Sequence, residues 1–141
     1  MNETIMKFGY PETLIKEYEH WVVLLRPKQI TAGCLVLACK EEAGSMPEVS
    51  SQAFAELAIV TGELEAGIKK AFGMEKINYV LLMMVDKEVH FHVIPRYSEE
   101  KNFSGVTFTD PGWPKHPDMQ SVIPLSDEQF RNLKQHLVDC F

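Results

Sequence analysis

The sequence predicts a single domain that mixes strands with helices, and three observations lead there. Two bulky, β-branched runs lie near the N-terminus, a stretch of about 20 residues then repeats its apolar positions every three or four, and two further apolar runs flank a short polar connector. With 141 residues and 45% hydrophobic content, the chain is long enough for one core and too short for two.

In chain order, "PETLIKEY" (Pro11 to Tyr18) reads as a short helix with Pro at its first position. "HWVVLLRP" follows as a strand ended by Pro27, and "CLVLACK" (Cys34 to Lys40), apolar on both faces, as a strand buried between layers. From Ser50 a helix is expected, with Phe54, Leu57, Thr61, Leu64, Ile68 and Phe72 on one stripe, Ser50 as N-cap and Gly73 past its end. "INYVLLMM" (Ile77 to Met84) and "EVHFHVIP" (Glu88 to Pro95) are separated only by Val85, Asp86 and Lys87, so they form an antiparallel hairpin with a tight connection. Beyond Tyr97 the chain is dense in Gly, Pro and Asp and reads as a long surface loop with at most one short strand, Val106 to Thr109. Its Trp113 and the stretch Val122 to Leu125 argue that the loop docks onto the domain. Ser126 to Phe141 closes the chain as a helix opened by a Ser-x-x-Gln capping box.

Composition excludes several functions. A net charge of -6 disfavours a long nucleic acid or an anionic membrane as partner, so any anionic ligand is small and met locally. Cys34, Cys39 and Cys140 contain no CxxC pair and suggest neither a disulfide framework nor a zinc knuckle. No secretory signal pattern opens "MNETIMKFGYPETL" and no apolar run approaches the length of a membrane span, so a cytoplasmic setting is expected.

The chemistry concentrates in "KEVHFHVIPRY", Lys87 to Tyr97. On a strand, Glu88, His90, His92 and Ile94 share one face, and alternate side chains lie about 7 Å apart, a separation that one phosphate group can bridge. A neutral imidazole can attack phosphorus, while a second imidazole, protonated near its ordinary pKa of about 6.5, donates to the phosphoryl oxygens. The other reading of a His-x-His pair with a carboxylate is a transition-metal site, which on one flat strand would need further ligands that no His or Cys cluster supplies. His20, His116 and His136 are read as structural or surface residues.

"EVHFHVIPR" resembles the signature of the histidine triad, or HIT, family, His-φ-His-φ-His-φ-φ followed by Pro-Arg, as found in bacterial-type HIT hydrolases. The middle histidine falls on His90, the last on His92 and the first on Glu88. The order of elements is also similar, from "WVVLLRPKQITAGCLVL" through one helix to the hairpin, over roughly residues 20 to 97. The resemblance implies an α+β fold with an antiparallel sheet of about five strands, one long helix and a C-terminal helix, paired as a homodimer. It further implies action on nucleoside phosphoramidates or dinucleoside polyphosphates, with His90 as nucleophile, His92 polarising the phosphate, and neither a bound metal nor a cofactor.

Three positions depart from the family pattern. Glu88 cannot donate to a phosphate when ionised, although it can orient an adjacent imidazole or raise its pKa. The connector Val85-Asp86-Lys87 is shorter than the usual Gly-rich loop, which leaves Lys87 as a phosphate contact. Arg26 stands where relatives hold a ribose with Asp or Asn, and Cys34 where a His is common, so the ligand need not be an ordinary nucleoside. Arg26 is a candidate phosphate fork, and Trp113 a loop anchor or a lid. The same features leave open a nucleotide-binding protein that keeps the scaffold and turns over slowly or not at all.

Overall fold

The computed structural model describes residues 1–141. Its centre is a five-stranded antiparallel sheet in the order β1-β2-β3-β5-β4, built from β1 (Leu14–Glu17), β2 (Trp21–Leu25), β3 (Leu35–Cys39), β4 (Lys76–Val80) and β5 (His90–Arg96). The central strands β2 and β3 are buried along their whole length, as expected of runs that are apolar on both faces.

Alternation along these strands divides the residues between two layers. Val23, Leu25, Leu37, Cys39 and Val93 join Val60, Leu64 and Ile68 of the long helix α2 (Ser51–Phe72) in the main core. Leu133 and Leu137 of α3 (Asp127–Cys140) complete it. Val22, Leu24, Val36 and Ala38 point the other way, toward Ile5 of the N-terminal helix α1 (Glu3–Lys7). His90 lies opposite Ala38 and His92 opposite Val36, which puts both imidazoles on the α1 side.

Helix α2 ends where its caps predict. The Ser50 hydroxyl accepts from the Ala53 N–H, and Gly73 takes the left-handed conformation at φ 66°. Its buried line runs through Ala53, Val60, Leu64, Gly67 and Ile68, whereas Phe54 is exposed. The largest residues of the expected stripe are thus not its centre. Small residues let the helix come close to its neighbours: a Cβ on Gly67 would sit 2.7 Å from the Phe141 ring. Helix α3 carries the complete capping box between Ser126 and Gln129.

Three elements differ from expectation. Leu14–Glu17 is strand β1, not part of a helix over Pro11 to Tyr18; it pairs with β2 through Leu14↔Leu24, Lys16↔Val23 and Glu17↔Val22, with a bulge between Leu14 and Lys16. Eight residues barely define a helical period, and pairing with a buried neighbour decides the outcome. The connection between β4 and β5 spans nine residues, 81–89, rather than three, because Leu81, Leu82, Met84 and Val85 leave the sheet and are exposed. The loop after Tyr97 contains two short strands, β6 (Lys101–Phe103) and β7 (Val106–Phe108), joined by Ser104 and Gly105 at φ 53° and 77°. Two consecutive positive φ values define the hairpin turn whose twist matches its strands. The rest of that segment docks as expected, with the Ile123 N–H donating to the Gln29 carbonyl at 2.8 Å.

No helix is long and apolar enough to cross a membrane.

Candidate active site

His90 and His92 stand side by side on β5, their ring centroids 5.2 Å apart and their planes at 76°. Strand alternation alone would set them about 7 Å apart, and the rings lean together under Phe8, whose ring centre is 5.5 Å from His90 and 5.7 Å from His92. Both residues are buried, yet the Nε2 atom of each has no partner in the chain. Tyr18 Oη is the sole buried side-chain polar atom without a partner, so each Nε2 reaches solvent.

Hydrogen bonding at Nδ1 gives the two rings opposite tautomers. His90 Nδ1 lies 2.7 Å from the Glu88 carbonyl oxygen, which can only accept, so Nδ1 carries the proton and Nε2 keeps its lone pair. His92 Nδ1 instead accepts from Arg26 Nε at 3.2 Å; a guanidinium can only donate, so the proton of neutral His92 sits on Nε2. One imidazole offers a nucleophilic lone pair and its neighbour an N–H donor.

His92 is also kept neutral. Burial first, then the Arg26 charge and then His90 press its pKa down to about 4, with Asp86 opposing. Where the sequence reading has a protonated second imidazole, His92 is an uncharged ring at neutral pH, with its proton on Nε2. Arg26 itself is half-buried, and burial lowers its pKa. Its Nε and Nη1 are occupied by His92 and the Lys28 carbonyl, and its Nη2 is free of intramolecular bonds.

Glu88 stands on the α1 side with the imidazoles, as strand alternation suggests, and its side chain is held by α1. It lies before β5 begins, and its carboxylate accepts from the Thr4 hydroxyl at 2.6 Å while its N–H donates to the same oxygen at 3.2 Å. Neither imidazole bonds to that carboxylate. Glu88 touches His90 through its backbone carbonyl, a contact any residue type could supply.

Of the other residues singled out from sequence, Arg26 is brought to the histidines and two are not. Lys87 is exposed and borders a small hollow beside Thr4 and Glu88. Trp113 lines a separate hollow with Lys76, Asn78, Arg96, Lys115 and His116. His136 bonds to the Ala71 carbonyl between Phe72 and Phe103, as a structural histidine does. No set of three or more His, Cys, Asp or Glu side chains converges as metal ligands would.

Sequence reading missed Thr4, Lys7, Phe8, Lys28 and Asp86. Lys7, Phe8, Lys28 and Asp86 line, with Arg26 and His92, a hollow of about 330 Å³. Lys7 and Asp86 form an ion pair at 2.7 Å across it. An Asn at position 2 followed by Glu3 was the available signal for α1, whose Asn2 side chain caps the Ile5 N–H.

This arrangement defines a class: an α+β domain with a five-stranded antiparallel sheet whose strand β5 carries paired imidazoles on one face, which is the fold of histidine triad proteins. Among solved structures, a histidine triad protein from Sinorhizobium meliloti 1021 superposes with TM-score 0.76 at 24% identity, over 100% of this chain and 96% of that one. A hypothetical histidine triad nucleotide-binding protein from Sulfolobus tokodaii strain7 gives 0.71 at 18% identity, over 97% and 88%. The Plasmodium falciparum diadenosine triphosphate hydrolase gives 0.63 at 8% identity, over 92% and 74%. At these identities the likeness establishes the fold. No protein-family model and no curated protein matches the sequence.

Proposed function

We propose that this chain is a nucleotidyl hydrolase or transferase that works through a phosphohistidine on His90. The observation that carries this reading is the tautomer division: a bare, solvent-reaching Nε2 on His90 beside an Nε2–H on His92. In the first step His90 Nε2 attacks the phosphorus of a nucleoside phosphoramidate or dinucleoside polyphosphate. The bond to the leaving group breaks, and the leaving group departs with its electron pair and takes a proton from water. His92 donates Nε2–H to a phosphoryl oxygen and steadies the charge that gathers there. Water then attacks the phosphorus, the N–P bond breaks, and nucleoside monophosphate leaves with His90 restored. Another acceptor in place of water makes the reaction a transfer.

The Glu88 side chain favours a second reading. A carboxylate held by Thr4 on the imidazole side of the sheet supplies no donor where a third imidazole could, which suits a module that binds nucleotide and turns it over slowly. Product release from adenosine phosphoramidate and diadenosine polyphosphates, with radiolabel trapped on protein, separates the two. Hydrolysis predicts nucleoside monophosphate and labelled protein, both lost in His90→Ala by at least about 1,000-fold. An inert chain that gains turnover in Glu88→His is a binding module.

Pairing into a homodimer belongs to the same proposal. Strand β4 leaves one edge of the sheet unpaired, and the exposed Leu81, Leu82, Met84 and Val85 follow it directly. Mass from light scattering is expected to be twice that of the 16.1 kDa chain. A cytoplasmic location is proposed with it, in keeping with three free cysteines.

A further inference from the structure

The hollow beside His92 has a charge that a nucleoside does not explain. Three cations face it: Lys7 from α1, and Arg26 and Lys28 from the turn after β2. Its one carboxylate, Asp86 from the β4–β5 connection, is engaged by Lys7. Neither Arg26 nor Lys28 forms an ion pair. Two uncompensated positive charges thus meet in one hollow of a chain whose net charge is -6.

Arg26 is the more informative of the two. A half-buried guanidinium loses hydration, and in this chain it recovers only an imidazole nitrogen and a carbonyl, both neutral acceptors. Those two bonds fix the plane of the fork and leave Nη2 without a partner, so the group is oriented before any ligand arrives. A ribose diol is bound well by a carboxylate or amide, which accepts from hydroxyls. A guanidinium has no acceptor and matches the geometry of a phosphate or carboxylate.

We propose that this hollow binds a second anionic group of the substrate, a phosphate carried near the phosphoryl group that His90 attacks. The inference rests on the nucleotidyl reading of His90 and narrows the substrate to doubly phosphorylated compounds. The second phosphate sits on the sugar, as in a 3′-phosphorylated nucleotide, because Arg26 stands where a ribose diol would need an acceptor. Arg26 Nη2 and Lys28 Nζ receive it, while Arg26 Nε stays on His92 and couples the two phosphate positions through one side chain.

The test is a calorimetric titration of the unmodified protein, Arg26→Gln and Lys28→Gln with three ligands: AMP, adenosine 3′,5′-bisphosphate and α,β-methylene-ADP, which resists cleavage. The bisphosphate is expected to bind the unmodified protein at least about tenfold tighter than AMP, as a charge-assisted pair would give. A preference for the methylene analogue over the bisphosphate places the extra phosphate on the chain and overturns the proposal. The advantage is expected to shrink to about threefold or less in Arg26→Gln, and partly in the exposed Lys28→Gln, which serves if Arg26→Gln does not fold. Equal binding of all three ligands, or an advantage that survives both substitutions, overturns the proposal. Product release from the His90 assay is read independently: turnover with equal binding removes only this inference, whereas selective binding with no phosphohistidine removes the covalent reading and leaves the anion hollow standing.

Discussion

Arg26 and Arg96 are two arginines on one side of the same sheet, and they are treated in opposite ways. Arg96, at the end of β5, is 4% exposed; its Nε and Nη2 engage Asp110 at 2.7 and 3.1 Å and its Nη1 donates to Asn78 Oδ1 at 2.7 Å. Asp110 also accepts from the Tyr97 N–H, which ties the long C-terminal segment to the sheet. Every nitrogen of that guanidinium is used, and its charge is matched. Arg26 is more open, has one nitrogen unused and has no carboxylate. Complete internal pairing marks a residue that holds the fold, and incomplete pairing of a half-buried charge marks one that awaits a ligand.

Breaking the matched pair is expected to have the largest effect. Asp110→Ala leaves the Arg96 charge buried without its counter-charge, and denaturant unfolding is expected to show a loss of about 3–5 kcal/mol. A loss below about 1 kcal/mol would mean that the segment beyond Tyr97 is held by something else. Thr4→Val comes next, with about 2–3 kcal/mol, because it removes the donor to the buried Glu88 carboxylate and the acceptor of the Glu88 N–H while keeping the side-chain shape. An unchanged midpoint would show that Glu88 finds another donor.

The His92 effect is smaller and depends on pH. Its pKa of about 4 in the folded protein lies below the unfolded value of about 6.5, so the unfolded chain takes up a proton first. The stability this neutral ring contributes is present above about pH 6.5 and is lost as pH falls toward 4. Allowing for the solvent contact of the ring, the loss is about 1–2 kcal/mol. Unfolding midpoints of the unmodified protein and His92→Gln, measured from pH 7 to pH 4.5, should converge by that amount; parallel curves would mean that His92 titrates normally.

Local signals in the sequence were enough for α2, α3, β2, β3 and the position of the paired histidines, because caps, period and alternation are each written within a few residues. What escaped was decided at a distance. Strand β1 is a strand because β2 offers it an edge, and α1, at five residues, is shorter than two helical turns. The turn of β6–β7 was legible, since Ser104-Gly105 sits between two short apolar-polar alternations, but the density of Gly and Pro around it masked the pattern. In the site, strand alternation named His90 and His92 and put Glu88 on their side of the sheet, but its hydrogen-bond partner Thr4 is 84 residues away. The His92 tautomer depends on Arg26, 66 residues away, and no spacing rule reaches that far.

Arg26→Gln is the smallest expected change in stability and the sharpest test of the contrast between the two arginines. Glutamine removes the charge and two hydrogen bonds, which destabilises, and removes the desolvation of an unmatched guanidinium, which stabilises; the balance is expected within about 1 kcal/mol of zero. The signature lies elsewhere. Without the Arg26 charge, one of the causes that depress His92 is gone, and its ring should titrate above about 4 while burial still holds it below about 6.5. Nitrogen chemical shifts of the imidazole read both that titration and the share of Nε2–H tautomer, which should fall once Nδ1 loses its donor. If Arg26→Gln instead costs as much as Asp110→Ala and leaves the His92 titration in place, Arg26 is a second structural arginine and its free Nη2 carries no message about a ligand.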